Sequence, residues 1–548
     1  MRTVKIITLS LTTASFLFGA PPTVSDIERN VQPPKEVERG MNNVIPTLPT
    51  QEIKPAMSDM GGKSIEVKGF TLSGALHVKS ETLLSLLEPY AGKSYTLGEL
   101  EKITALITKA YREEGYFVAR AYIPKQSMKE GILEIAIIEG NYGAFHLTNS
   151  SLVSNERVQG MLDAIKHENI ISTHTLERAM LLINDTPGVK VTGADVKPGE
   201  NVGTSDFEMR TEASNPYSAY IVGDNYGSKY TGRHRVNAGL SANSPLGYGD
   251  KFGINGVLSS STDLKNGKVY YNFPLMDNGL RGELSASRTT YSLAEEYKAL
   301  DALGHSTTLE ASLSYPLIRT RLESLHLSLG YAHKKMKDEI ESTDDVTKKD
   351  SNALSLGANY LKNHTLFGIN SSLTSELKLT KGELDSPSNS DTDGAYAKVA
   401  GSVEHTMAFS PLYALTTSLR FQHALGNKNL DGSEDFSLGG AYGVRAFPDG
   451  EHSAENGYIL GAELFYTLPS FEGIMHKASL FADTGYATMQ NENGTQESRQ
   501  LSDIGIGYQA SYKQFFGKAQ IARVIGGEKV ESESERSTKL LLQLGFVY

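Results

Sequence analysis

Thr538-Lys539-Leu540-Leu541-Leu542-Gln543-Leu544-Gly545-Phe546-Val547-Tyr548 is the stretch whose reading decides the fold. At a period of two, Leu540, Leu542, Leu544, Phe546 and Tyr548 share one face, while Lys539, Gln543 and Gly545 fall on the other. An apolar face ending in aromatics suits lipid and its interfacial girdle, and a face with Lys and Gln suits a wet lumen. After the first twenty residues no stretch reaches the ~18 consecutive apolar residues that a spanning helix needs. A membrane-spanning form of this chain therefore has to cross with strands.

Working back from this stretch, similar alternating segments recur to about residue 217, separated by Gly, Asn, Asp and Ser clusters. They include 268–275, 348–363, 457–469, 477–489 and 500–512, and the expected total is about sixteen antiparallel strands. Connections after even-numbered strands are short, as at Ser410-Pro411 and Leu275 to Asn278. Those after odd-numbered strands are long and polar: 337–350, 381–395, 490–500 and 526–538. A barrel with short periplasmic turns and longer outer loops alternates in this way. A soluble propeller or solenoid has no reason to.

The other half of the chain reads differently. Arg2 and Lys5 precede an apolar run, Ile6 to Phe18, and Gly19-Ala20 offers a cleavage site, so 1–20 reads as a signal peptide. Residues 21–62 are polar and Pro-rich, with a short helix starting at Ser25-Asp26-Ile27-Glu28 and stopped by Pro33-Pro34. From Ser64 a small α+β module follows: a strand to Phe70, a helix behind the capping box Thr96-x-x-Glu99, and strands at 116–123 and 131–139. The pattern occurs a second time, with helices at 155–164 and 175–184 and strands at 145–147, 189–196 and 205–211.

Bulk composition excludes several chemistries. The chain has 548 residues and no Cys, which rules out disulfides, thiol chemistry and thiolate-bound metal. A net charge of −11 argues against nucleic acid as a partner. Gly62-Lys63-Ser64 and Gly92-Lys93-Ser94 lack the upstream Gly of a P-loop, since Met57 and Leu87 stand there. The 13 His residues form no H-E-x-x-H, and no G-x-S-x-G elbow occurs. No catalytic site, metal or cofactor is expected.

Longer strings carry a resemblance. The first module holds Tyr111-x-x-x-Gly115-Tyr116, Ile123-Pro124-x-Gln126, Gly131-x-Leu133-x-Ile135 and Glu139-Gly140. The second holds Leu176-Glu177-Arg178, Leu182-Ile183-Asn184-Asp185, Pro187-Gly188-Val189 and Pro198-Gly199, and Asp224-Asn225-Tyr226-Gly227 precedes Thr231-Gly232. Further on come Val444-Arg445-Ala446-Phe447 and Phe481-x-Asp483-x-Gly485. In order and spacing these strings resemble the two-partner secretion transporters, outer-membrane exporters of haemolysins and adhesins. They resemble that family's two POTRA (polypeptide-transport-associated) modules, the V-R-G-F/Y tip of its in-folding loop and the F-x-D-x-G of its thirteenth strand. Ala446 replaces the usual Gly. The resemblance divides the chain into 1–20, signal peptide; 21–62, helix and linker; 63–140 and 141–213, POTRA modules; and 214–548, the barrel, with loop 426–456 folded inward. Segment 22–40 corresponds to the family's pore-plugging helix.

Periodicity adds an independent constraint. Phe481, Asp483 and Gly485 share a face opposite Leu480, Ala482 and Tyr486, and Glu463 faces away from Leu460, Leu464 and Tyr466. A carboxylate in lipid is costly, so these faces line the lumen. The resemblance implies a tether from Arg445 to Asp483, with Glu463 as a further partner. It also implies a monomer in the outer membrane with its N-terminal half in the periplasm. A POTRA sheet edge within 65–140 would take an extended exoprotein by β-augmentation for export to the surface. Outer-membrane lipid, periplasmic chaperones and the barrel-assembly machinery are the other implied partners. A barrel-assembly factor of the same superfamily is the alternative, though such factors usually carry more POTRA modules than two.

Overall fold

The computed structural model describes residues 21–29, 31, 34, 64–168, 170–260, 263–386, 391–426, 429–490, 495–533 and 536–548. The expected signal peptide and most of the expected linker lie outside the described residues.

In the first module, helices α2 (Ser80–Leu87) and α3 (Leu97–Glu113) follow α1 (Val24–Arg29) in the chain. At the start of α3 the Thr96 side chain accepts from the Glu99 N–H, and Glu99 reaches back to the Thr96 N–H at 2.8 Å. Leu100, Ile103, Ile107 and Tyr111 bury the inner face of α3. Gly69–Ser73 runs parallel to Ile132–Ile138, which pairs antiparallel with Arg120–Tyr122. The strand expected over 116–123 is thus only Arg120–Tyr122. Its first residues are taken up by a turn in which the Tyr116 N–H caps the Tyr111 carbonyl at 2.9 Å. A short pairing of Ile65–Val67 with Lys93–Tyr95 was not expected.

Glu139 fastens the end of the central strand, accepting from the Leu76 and His77 N–H groups, Tyr111 Oη and His77 Nδ1 at 2.6–2.9 Å. Burial works to raise its pKa, but these donors outweigh it and hold the carboxyl below its ordinary value.

The second module carries α4 (Asn155–Asp163) and α5 (Thr173–Asn184) on a sheet ordered Asn141–Ser150, Thr204–Ala213, Val189–Pro198. Its strands extend a few residues beyond the expected 145–147, 189–196 and 205–211.

Sixteen antiparallel strands then close into a barrel. They are β1 (Tyr217–Asp224), β2 (Arg235–Asn243), β3 (Lys251–Ser259), β4 (Leu264–Pro274), β5 (Arg281–Ser292), β6 (Ala302–Arg319), β7 (Glu323–Ile340) and β8 (Asp345–Leu366). There follow β9 (Ile369–Asp385), β10 (Gly394–Ala408), β11 (Tyr413–Ala424), β12 (Asn456–Thr467), β13 (Met475–Gln490), β14 (Gln496–Tyr512), β15 (Phe515–Val524) and β16 (Thr538–Val547). On β16 Leu540, Leu542 and Leu544 are exposed to the outside, whereas Leu541 and Gln543 are buried within. Phe367, Phe409, Phe471 and Phe515 stand exposed near the turns on the module side, as an interfacial girdle requires.

Some connections are shorter than expected: the strands flanking 381–395 run to Asp385 and from Gly394, and those flanking 490–500 run to Gln490 and from Gln496. Residues 337–350 are not a long loop: β7 and β8 stay paired up to Ile340 and Asp345, leaving four residues in the turn. The polar ladder continues above the lipid, where strands no longer need an apolar outer face.

The second module is clamped beneath the barrel. Arg319, 2% exposed along its side chain, grips both Asp185 oxygens at 2.6 and 2.7 Å. Arg321 pairs with Glu177 at 2.7 Å, Arg157 with Asp277 at 2.8 Å, and Arg178 donates to the Pro316 carbonyl at 2.7 Å. At the far end of the lumen lies α1. The Val24 N–H donates to Asp338 at 2.7 Å, and Val24 and Ile27 are buried among Leu264, Tyr291, Met336 and Leu430.

The strand order fixes a testable topology. A protease site inserted between 386 and 393 will be cut on intact cells, and one inserted at Ser410-Pro411 will be protected. Cutting at Ser410-Pro411 alone would invert the barrel.

Candidate functional site: the hairpin folded into the lumen

The chain between β11 and β12 does not simply turn at the rim. It dips inward as a hairpin in which Phe436–Ser437 pairs with Ser453–Ala454. The tip is closed by backbone bonds, Val444 N–H to the Leu438 carbonyl at 2.8 Å and Gly440 N–H to the Phe447 carbonyl at 3.1 Å. Gly440 has φ +96°, a left-handed conformation that favours glycine.

Arg445 projects from this tip onto the inner face of β12 and β13. Its Nε and Nη2 donate to the two Asp483 oxygens at 2.7 and 3.0 Å, and Nη1 donates to Glu463 at 2.8 Å. The guanidinium also lies 3.5 Å from the centroid of the Phe481 ring, a cation–π contact. These are forked, charge-assisted bonds, and only 11% of the Arg445 side chain is exposed. Val444, Ala446 and Phe447 pack with Phe481, Leu438, Ile459 and Leu501 in one buried cluster. Gly485 makes room for this packing, since a Cβ there would stand 2.9 Å from Leu438 Cδ2. The structure thus brings Val444, Arg445, Ala446, Phe447, Glu463, Phe481, Asp483 and Gly485 together around one contact.

The profile of the haemolysin secretion/activation protein family ShlB/FhaC/HecB matches residues 203–510, and that of the ShlB-type POTRA domain matches residues 65–140. The heme/hemopexin transporter protein HuxB of Haemophilus influenzae is 30% identical over 451 residues, 79% of this chain and 78% of that protein. The chain belongs to this family. The outer membrane transporter CdiB of Escherichia coli is 25% identical over 433 residues, covering 74% of this chain and 70% of its own length. The solved structure of CdiB from Escherichia coli shares the fold, with a TM-score of 0.73 at 20% identity over 94% of this chain and 95% of that one. The protein is accordingly a two-partner secretion transporter of the outer membrane, with its POTRA modules in the periplasm.

Several groups that hold the transporter's hairpin were not anticipated. Asp503 on β14, the register partner of Asp483, accepts the Ala446 N–H at 2.6 Å. Its inward face was readable from the outward Ile504 and Ile506, but its partner was not. Lys539 donates to the Phe447 carbonyl at 2.9 Å, and Arg420 to the Ser437 carbonyl at 2.7 Å. Higher up, Glu451 pairs with Arg499 at 2.9 Å and accepts the Glu531 N–H at 2.7 Å, joining the hairpin to the loop before β16. Lys398 bonds Glu434 at 2.9 Å.

Breaking a buried ion pair typically costs ~3–5 kcal/mol, and water in the lumen lowers the figure here to about 2–4 kcal/mol. Arg445→Ala should therefore speed hydrogen exchange at 438–447 while the barrel remains heat-modifiable. Asp483→Ala should do the same, and the double substitution should be little worse than either single one. Fully additive losses would show that the two residues act independently.

Proposed function

We propose that this transporter exports one large exoprotein, delivered unfolded to the periplasmic modules and passed through the barrel to the cell surface. The observation that carries this reading is a closed barrel joined to two POTRA-like modules, its lumen occupied by its own hairpin and α1 rather than left as an open channel. Relatives bear the names heme/hemopexin transporter, hemolysin transporter protein HpmB and outer membrane transporter CdiB, which supports a cargo of that general type.

Each part then has a role. Residues 63–140 and 141–213 act as receptor modules, and the edge strand Gly69–Ser73 of the first sheet offers its backbone to an extended segment, whereas at the other edge the Ala121 N–H is taken by Thr108 Oγ1 at 3.0 Å. The Arg445–Asp483–Glu463 contact holds hairpin 426–456 in its working position within the 214–548 barrel. Helix α1, the described helix of segment 22–40, stoppers the outer end of the lumen. No step requires catalysis or a cofactor. Lipid surrounds a monomer, and chaperones and the barrel-assembly machinery act before insertion. The assembly-factor alternative gains nothing from these observations.

Deleting 65–140 should remove the exported polypeptide from the medium while the barrel stays heat-modifiable in the outer membrane. Normal secretion by that deletion would remove the receptor role. Deleting 21–31 should raise single-channel conductance in planar bilayers without altering barrel assembly.

A further inference from the structure

The lumen is unevenly filled. The hairpin leans chiefly on the inner faces of β10 to β14 and β16, through Lys398, Arg420, Glu463, Asp483, Asp503 and Lys539. Its first limb also reaches β7 and β8, where Lys334 pairs with Glu434 at 3.7 Å and Lys349 with Asp431 at 2.5 Å. The opposite wall, β1 to β6, borders a cavity of about 910 Å3 that reaches from Ser218 and Tyr548 at the module-side rim to Val31 above. That is on the scale of a ligand pocket, ~300–1,000 Å3, so it has room for an extended strand and none for a folded domain.

The wall is polar, and Lys251, Glu283 and Lys334 are among the residues that line the cavity. Asn237, Asn255, Asn266, Ser287 and Thr308 face the cavity, and the Lys268 and Glu310 charges are paired with each other at 3.1 Å. Two tyrosines that could obstruct it are laid flat. Tyr220 lies across Gly239 and Tyr270 across Gly253, cross-strand partners in both cases. A Cβ at either glycine would stand 2.3 Å from the ring, so any larger residue tips that ring toward the cavity.

The same strands sit above the second POTRA module. Its contacts fall on the β2–β3, β4–β5 and β6–β7 turns, through the Ser154 N–H to the Gly247 carbonyl at 2.8 Å, Arg157 to Asp277 at 2.8 Å and Arg319 to Asp185. The module thus opens onto the clear side of the lumen, away from the wall that carries the hairpin's tip.

We propose that the inner wall of β1 to β6 is the track along which the extended cargo backbone moves, kept clear by the Tyr220/Gly239 and Tyr270/Gly253 pairs. The proposal rests on the export reading and adds the route to it. The ligand is an unfolded polypeptide main chain, met by Asn and Ser amides and hydroxyls and by charges of both signs, Lys251, Lys334 and Glu283, which favour neither acidic nor basic side chains. An apolar band ~25 Å tall is crossed by about eight extended residues, so few such contacts act at once.

The test uses the full chain in its own cells. The cargo is first defined as the polypeptide that vanishes from the medium when 65–140 is deleted; if none vanishes, the export reading itself fails. Photo-crosslinking residues are then placed at Asn255, at Ser287 and, across the lumen, at Ser402. Capture of that polypeptide at 255 and 287 but not at 402 supports the track. Capture at 402 to an equal or greater extent, or no capture at 255 and 287 while secretion continues, overturns it. Independently, Gly253→Ala should slow secretion several-fold with the barrel intact, and Gly253→Ala with Tyr270→Ser should restore it. If the double variant stays as slow as the single, the ring is not the obstruction and the cleared-track account fails.

Discussion

In hydrocarbon an unpaired backbone N–H or C=O costs several kcal/mol, so the sheet must return to its own first strand. Everything else in this transporter depends on that closure. The closing seam is also the shortest. β16 and β1 share five register pairs, from Gln543↔Asp224 to Val547↔Tyr220, whereas β7 and β8 share eighteen. Where the β1 ladder ends, a side chain continues it: Asn225 Nδ2 donates to the Leu540 carbonyl at 2.9 Å and Asn225 Oδ1 accepts the Leu542 N–H at 2.8 Å. Arg233 and Glu533 join the loops above at 2.8 Å. This seam joins segments more than three hundred residues apart, so closure awaits the last strand and leaves two sheet edges unpaired until then.

Once closed, the barrel gives charge only one place to go within the membrane. That restriction concentrates carboxylates and cations inside, where a flexible hairpin can be held by them. The hairpin is fastened at several heights: Arg445 and the Ala446 N–H at the tip, Arg420 and Lys398 along its first limb, and Glu451 near the outer loops. Because these anchors lie chiefly on strands β10 to β14 and on β16, with Lys349 of β8 holding Asp431, the lower part of the opposite wall stays free. Helix α1 covers the outer end of that wall at Leu264 and Tyr291. The module beneath is fixed by arginines to that free side.

The sequence carried the parts of this arrangement that lipid dictates. Period-two alternation with charge excluded from one face was enough to assign Phe481, Asp483 and Glu463 inward, and to count the strands. What escaped it was set elsewhere. Asp503 had a legible face but not a legible partner, because pairing a hairpin's Ala446 N–H with a strand 57 residues later is a tertiary fact. Glu451 lies in a coil with no period. The polar tops of β7 and β8 read as a loop because they rise beyond the lipid that gives strands their apolar signature. Lys93–Tyr95 is too short to show alternation, and the landing of α1 against Asp338 has no local signal at all.

Ala446, at the Gly position of the V-R-G-F/Y motif that this tip resembles, has a consequence for the unfolded chain. It is not among the described residues with positive φ, and its methyl is buried, so the tip does not demand glycine's freedom. An alanine that fits a site without strain stabilises it by ~0.4–1 kcal/mol, chiefly by reducing the disorder of the detached segment. The contribution appears in no contact or distance. This hairpin is therefore held in place partly because, once free, it has fewer conformations to wander into.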